Sequence, residues 1–202
     1  FAARLGRDEA RALVAKSPGV LVASRDKIDD VAFAFAELLD LDEGAANALA
    51  ARVATGAPRV VASTAESKIR SRLRFLVDEL GLTRDAAADV VRKRPSLLGL
   101  NVRSNLRATG AFLAVELFGE AAPGTLVSHI TLNERLSDAA RARVGKLVAA
   151  YPTVLGLSRE KNLAPKLAAL VAAAGGDREA AARAVVACPA LLGYSLEGRL
   201  LP

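Results

Sequence analysis

The chain has 202 residues, of which 52% are hydrophobic and 25% charged. That is too apolar for a disordered chain. No apolar run approaches the roughly 18 residues that span a bilayer, so the reading is a soluble protein without a membrane contact. Aromatics are 4% with no Trp, whereas sheet-rich proteins carry more aromatic and β-branched side chains. Ala, Leu, Arg and Glu dominate, all strong helix formers, so the expected fold class is all-α. Lys and Arg number 28 against 22 acidic residues, and 21 of the 28 are Arg, the residue suited to forked bonding to phosphate. A basic balance of this size points towards nucleic acid. One Cys excludes an intrachain disulfide and gives no sign of secretion. The sequence starts at Phe1 and contains no Met, which leads us to expect a removed presequence or a part of a longer chain.

In chain order, five prolines head similar heptapeptides: Pro18-Gly-Val-Leu-Val-Ala-Ser24, Pro58-Arg-Val-Val-Ala-Ser-Thr64, Pro95-Ser-Leu-Leu-Gly-Leu-Asn101, Pro152-Thr-Val-Leu-Gly-Leu-Ser158 and Pro189-Ala-Leu-Leu-Gly-Tyr-Ser195. Their spacings are 40, 37, 57 and 37 residues, the signature of a repeat array. Between prolines the pattern is helix, break, helix. Ile69, Leu73, Leu76 and Leu80 follow one face of a helix. Gly81 ends it as a C-cap. Thr83 caps a second helix over 84–93, and Pro95 closes the unit because its predecessor is pushed out of helical angles. Leu163, Leu167 and Leu170 match Ile69, Leu73 and Leu76 at an offset of 94, as Gly175 matches Gly81 and Asp177 matches Thr83. Pro165 is tolerated if its helix starts near Asn162. The seventh heptapeptide positions are all good N-caps, and two residues later stand Asp26, Glu66, Arg103, Glu160 and Glu197. Phe35, Phe75 and Phe112 share one repeat position and are expected in the core.

The spacing therefore predicts one array over 1–202. It comprises a partial repeat 1–23, repeats 24–63, 64–100, 101–157 and 158–194, and a partial repeat 195–202. An insertion near 119–138 lengthens the third full repeat. Each helical hairpin leaves an apolar face that only a stacked neighbour covers, so the expected architecture is an α-solenoid.

The stretch from Ser67-Lys-Ile through Phe75-Leu-Val-Asp-Glu-Leu-Gly-Leu and Val91 to Pro95-Ser-Leu-Leu resembles a repeat of the mitochondrial transcription termination factor (mTERF) family. Asn162-Leu-Ala-Pro-Lys-Leu and Pro189-Ala-Leu-Leu-Gly-Tyr-Ser-Leu-Glu-Gly-Arg-Leu resemble another. The resemblance implies a left-handed superhelix with two α-helices and a short 3-10 turn per repeat. It also implies a non-enzymatic organellar protein, in a mitochondrial matrix in preference to a chloroplast. Its partner would be structured RNA such as ribosomal RNA, as a ribosome-associated or assembly component, or double-stranded DNA in transcription termination or regulation. Other proteins of an organellar ribonucleoprotein are further possible partners. The insertion departs from the family pattern.

Residues 59–107 hold 11 basic and 5 acidic side chains, against 7 and 9 in residues 1–58. The candidate nucleic-acid contacts therefore centre on 68–107. Arg103 stands out, because a cation in a helix first turn opposes the dipole by roughly 0.3–1 kcal/mol, while the N–H groups there suit an anion. Arg107 lies four residues on. Lys68 and Arg72 form one flank of the apolar stripe and Arg70 and Arg74 the other; only one flank faces a ligand, and the other is solvated or paired with Asp78 or Glu79. Arg92, Lys93 and Arg94 end a helix, where cations also serve the dipole. Arg141, Arg143 and Lys146 on the helix capped by Ser137, together with Lys161 and Lys166, complete the set. Few aromatics are available to stack on bases; Tyr151 and Tyr194 beside the proline turns are the candidates for exposed rings. That composition favours backbone and shape recognition.

Nothing here suggests catalysis or a cofactor. His129 is the sole His, and with Cys188 it is too few ligands for zinc. Cys188, before Pro189 and beside an apolar run, reads as a buried structural thiol. No glycine-rich phosphate loop occurs. The rival reading is an α-solenoid that scaffolds proteins.

Overall fold

The computed structural model describes residues 11, 14–15, 25–63, 65–119 and 137–195. The caps proposed at Ser24 and Thr64, most of the insertion with His129, and the segment after Ser195 lie outside them. The described residues are helical with no strand, an all-α fold. They form α1 (Arg25–Leu39), α2 (Glu43–Gly56), α3 (Pro58–Ser63), α4 (Glu66–Arg74), α5 (Arg84–Lys93), α6 (Ala108–Phe118), α7 (Asp138–Ala150), α8 (Ala164–Ala173) and α9 (Arg178–Ala187). Short 3-10 turns follow at Pro95–Gly99, Pro152–Gly156 and Pro189–Gly193. At Pro58 the equivalent segment is the α-helix α3.

Two compact units divide the chain. One comprises residues up to Arg74 and Thr83–Gly99, the other Phe75–Leu82 and residues from Leu100 on. In the first, α1 packs on α2, α4 and α5, and α2 on α5. Its core includes Ile28, Val31, Phe35, Leu39, Val53, Ile69, Leu73, Val90, Val91 and Leu97, all buried. In the second, α6 packs on α7 and α9, and α8 on α9. Phe75, Leu76, Leu106, Leu113, Val144, Leu147, Leu155, Leu163 and Val185 fill it. The three phenylalanines of the shared repeat position are buried as expected.

The local chemistry of the hairpins recurs. Thr83, Ser137 and Asp177 each accept an amide N–H three residues on, at 3.2, 3.1 and 3.0 Å, capping α5, α7 and α9. Gly81 and Gly175 adopt left-handed φ of 67° and 68°, which glycine reaches without a Cβ penalty. Each second helix closes on the residue before its proline. Ala57, Arg94, Tyr151 and Cys188 donate their N–H to the carbonyl four residues back at 2.8–2.9 Å. The last three share φ −136° and ψ 73–78°, the extended bias that a following proline imposes.

The start of the first helix differs from a plain α-helix in two repeats. Val102–Arg107 and Arg159–Leu163 are π-helical turns. The Asn101 carbonyl accepts from both Asn105 (3.0 Å) and Leu106 (3.1 Å), and the Ser158 carbonyl from both Asn162 (3.0 Å) and Leu163 (2.9 Å). Asn101 and Ser158 also cap these turns through their side chains. The helix carrying Pro165 thus begins with a π turn at Arg159, ahead of the start near Asn162 expected from sequence, and Leu163 before α8 is already helical at φ −72° and ψ −49°. A third π turn, Phe75–Glu79, leads into the Gly81 break.

Candidate nucleic-acid interface

Nine of the fourteen candidate cations are exposed: Lys68, Arg74, Arg92, Lys93, Arg94, Arg103, Arg143, Lys146 and Lys161. Five are not, and the structure gives a reason for each.

In the first unit the two flanks of α4 are both withdrawn in part. Arg72 is buried, and its guanidinium donates to the Lys68 carbonyl at 2.5 Å. Burial lowers its pKa from the ordinary arginine value. Arg70 is half-buried and bonds Glu66 at 2.6 Å and Glu37 at 2.8 Å. These carboxylates, Glu66 first, raise its pKa, and its guanidinium also lies 5.6 Å from the Phe33 ring centroid. The expected partners Asp78 and Glu79 are therefore replaced by Glu66, one turn away, and Glu37, across to α1. Arg92 pairs with Asp89 on its own helix. Lys68, Arg74 and Arg94 form no ion pair among the described residues.

In the second unit Arg107 clasps Glu79 through two bonds, Nε–Oε2 at 2.7 Å and Nη2–Oε1 at 2.5 Å. The bond to Glu79 raises the Arg107 pKa. Arg107 sits 37 residues after Arg70, and both reach back to a carboxylate on an earlier helical segment. Both are cross-links between helical segments. Arg141 is tied to Asp138 on its own helix, with its Nε buried and unpaired. Lys166 is buried; its ammonium donates to the Leu192 carbonyl at 2.7 Å and the Asn162 side chain at 2.5 Å. Burial lowers its pKa. Lys166 thus ties α8 to the 3-10 turn of the same hairpin and is unavailable to a phosphate.

Arg72, Thr109 and Lys166 are the same repeat position, and all three are buried polar residues. The signal was present in the sequence. Each stands three residues after a buried apolar residue (Ile69, Leu106, Leu163) and so lies within the stripe that faces inward. Cys188 corrects a second expectation, because it is exposed. It occupies the pre-proline cap, where its equivalent Arg94 is exposed too. Of the two tyrosines, Tyr194 is exposed and Tyr151 half-buried.

Arg103 keeps its singular character. It is exposed, forms no ion pair among the described residues, and stands in a first turn that holds no acid. The acidic side chains of the other helices sit largely in first turns, as Glu43, Glu66, Asp85, Asp138, Glu160 and Glu179 do, where the dipole holds them. Lys146 and Lys161 are likewise exposed without an ion pair among the described residues. Arg143 covers the Phe118 ring at 5.3 Å. Two further arginines, not singled out from sequence, serve as struts: Arg159 donates to the Ser104 carbonyl at 3.0 Å and Arg178 to that of Val115 at 3.3 Å. Among the described residues no group of three His, Cys, Asp or Glu side chains could hold a metal ion, and no helix is long and apolar enough to cross a membrane. No family model and no curated protein matches the chain.

Proposed function

We propose that the chain is a non-enzymatic nucleic-acid-binding protein of an organelle, built as an α-solenoid of mTERF-type hairpins, that grips the phosphate backbone of structured RNA or duplex DNA. The observation that carries this reading is the division of the charges. Acids are spent on helix starts and on ion pairs with Arg70, Arg84, Arg92, Arg107 and Arg141, whereas Lys68, Arg74, Arg94, Arg103 and Lys161 stay exposed and without an ion pair among the described residues. Exposed guanidinium and ammonium groups with no carboxylate neighbour are what a polyanion neutralises. Arg103 is the central residue, because it stands where its helix would favour an acid. Repeated helix pairs with 3-10 turns support the mTERF-type architecture.

Electrophoretic mobility shift against an RNA hairpin and a DNA duplex, over a salt series, tests the proposal. Log affinity falls linearly with log salt, with a slope of about −0.9 for each phosphate neutralised on duplex DNA. Arg103→Glu weakens binding and flattens that slope by about one. Arg52→Glu, an exposed arginine of the acidic first third, leaves both unchanged. A salt-independent complex, or equal effects of the two variants, removes the proposal.

A further inference from the structure

The second unit carries a depression of about 360 Å³ with a hydrocarbon floor and a cationic rim. Phe118 at the end of α6 and Ala182 and Val186 of α9 form the floor, and Val186 is one of three large hydrophobic side chains exposed among the described residues. Arg143 and Lys146 rise on the α7 side and Arg183 on the α9 side. A second depression of about 350 Å³ shares Phe118, Arg143 and Ala182 and lengthens the groove. Glu179 borders both.

We infer that this groove docks an acidic amphipathic helix of a partner protein. Three features select that occupant. The floor offers hydrocarbon for apolar side chains recurring at i, i+3 or i+4, and i+7, the pattern by which a helix lies in a groove. The rim offers cations on both sides, and Arg143 and Lys146 stand three residues apart, about 4.5 Å along their helix, within reach of carboxylates flanking that apolar stripe. Arg183 approaches Asp177 at 3.9 Å and remains largely exposed. Nucleic acid fits less well. The guanidinium of Arg143 already covers the face of Phe118 on which a base would stack, and the rest of the floor, Ala182 and Val186, is aliphatic and offers no ring to a base. Arg103 does not line this groove; the inference reassigns Arg143 and Lys146 from nucleic acid to protein.

Selection of a displayed library of random helical peptides against the full 202-residue chain tests the inference. Enriched sequences carry an apolar stripe bordered by Asp or Glu. Measured by fluorescence anisotropy, they lose about tenfold or more in affinity to Val186→Glu and several-fold to Lys146→Glu. They bind Ala150→Glu, which adds the same charge to an exposed position of α7 outside the groove, as they bind the parent chain. Circular dichroism confirms that the variants are folded. Failure to enrich, enrichment of basic or unpatterned sequences, or peptides indifferent to Val186→Glu overturns the inference. The RNA hairpin separates this outcome from the fate of the proposed function. If it binds Val186→Glu as it binds the parent, the groove stands apart from it; if Val186→Glu abolishes RNA binding, the groove belongs to nucleic acid. Peptides behaving as expected while no nucleic acid binds sustains the groove and removes the other proposal.

Discussion

Replacing Arg107 with Ala distinguishes a helix cross-link from a ligand contact. Glu79 is 9% exposed in its side chain and Arg107 37%. The variant therefore strands a carboxylate in a mostly buried place, whereas in the parent two short bonds satisfy both of its oxygens. Exposed pairs contribute about 0.2–1 kcal/mol, and breaking a fully buried pair costs about 3–5 kcal/mol. With one partner more than a third exposed and screened by water, Arg107→Ala should cost about 2–3 kcal/mol. Glu79→Gln should cost less, because it leaves a half-exposed guanidinium that water can reach. The double variant has no stranded charge and should recover about 1–2 kcal/mol relative to the summed single losses. Urea unfolding followed by helical circular dichroism measures all three. Arg103→Ala is the contrast: with no partner to lose and a first-turn cation removed, it should leave stability unchanged or raise it by up to about 1 kcal/mol. Additive single losses, or an Arg107→Ala cost under about 0.5 kcal/mol, would refute the cross-link and return Arg107 to the ligand surface.

Further expectations concern individual positions. Lys166→Met keeps most of the buried volume but leaves the Leu192 carbonyl without its donor, a loss of about 1–3 kcal/mol by urea unfolding; a neutral result would show that the lysine is not seated there. Because burial lowers the Lys166 pKa below its ordinary 10.5, the unfolded chain holds that proton to higher pH than the folded one. Stability of the parent relative to Lys166→Met should therefore rise as pH climbs through that window towards 10.5, and a relative fall would reverse the sign of the shift. Gly145→Ala would place a Cβ 2.6 Å from the Leu80 carbonyl oxygen, so it should destabilise by about 1–3 kcal/mol despite alanine's better helix propensity; a rise in Tm would contradict the close approach. Cys188 should react at one equivalent with Ellman's reagent in the absence of denaturant, whereas a thiol protected until unfolding would show it to be buried.

Features governed by neighbours in sequence were legible in it. Thr83, Asp177, Gly81 and Gly175 announce the breaks because caps and left-handed turns depend on a few adjacent bonds, and the buried phenylalanines follow from helical spacing. The fate of the cations was less legible. Arg70 finds Glu37 and Arg107 finds Glu79 at separations of 33 and 28 residues, distances that no local pattern encodes. Lys166 is withdrawn by a carbonyl 26 residues away, although its place in the apolar stripe, shared with Arg72 and Thr109, hinted at an inward position. Cys188 is exposed despite the apolar run beside it, because it occupies the pre-proline position where its repeat equivalent Arg94 is exposed too. The consequence for the candidate interface is a smaller set of available cations than the fourteen the sequence offers, because five are withdrawn from the surface.

The doubled carbonyls of Asn101 and Ser158 carry a consequence for changes in chain length. A helix that bonds five residues ahead has accommodated one residue more than α-geometry requires. Deleting one residue from such a turn would leave each carbonyl with the ordinary four-residue bond alone. Downstream side chains would keep their bearing, where the same deletion in a regular helix would swing every one of them by about 100°. The openings of these hairpins thus act as slack in the chain, and single-residue length differences there would leave the packing beyond them undisturbed.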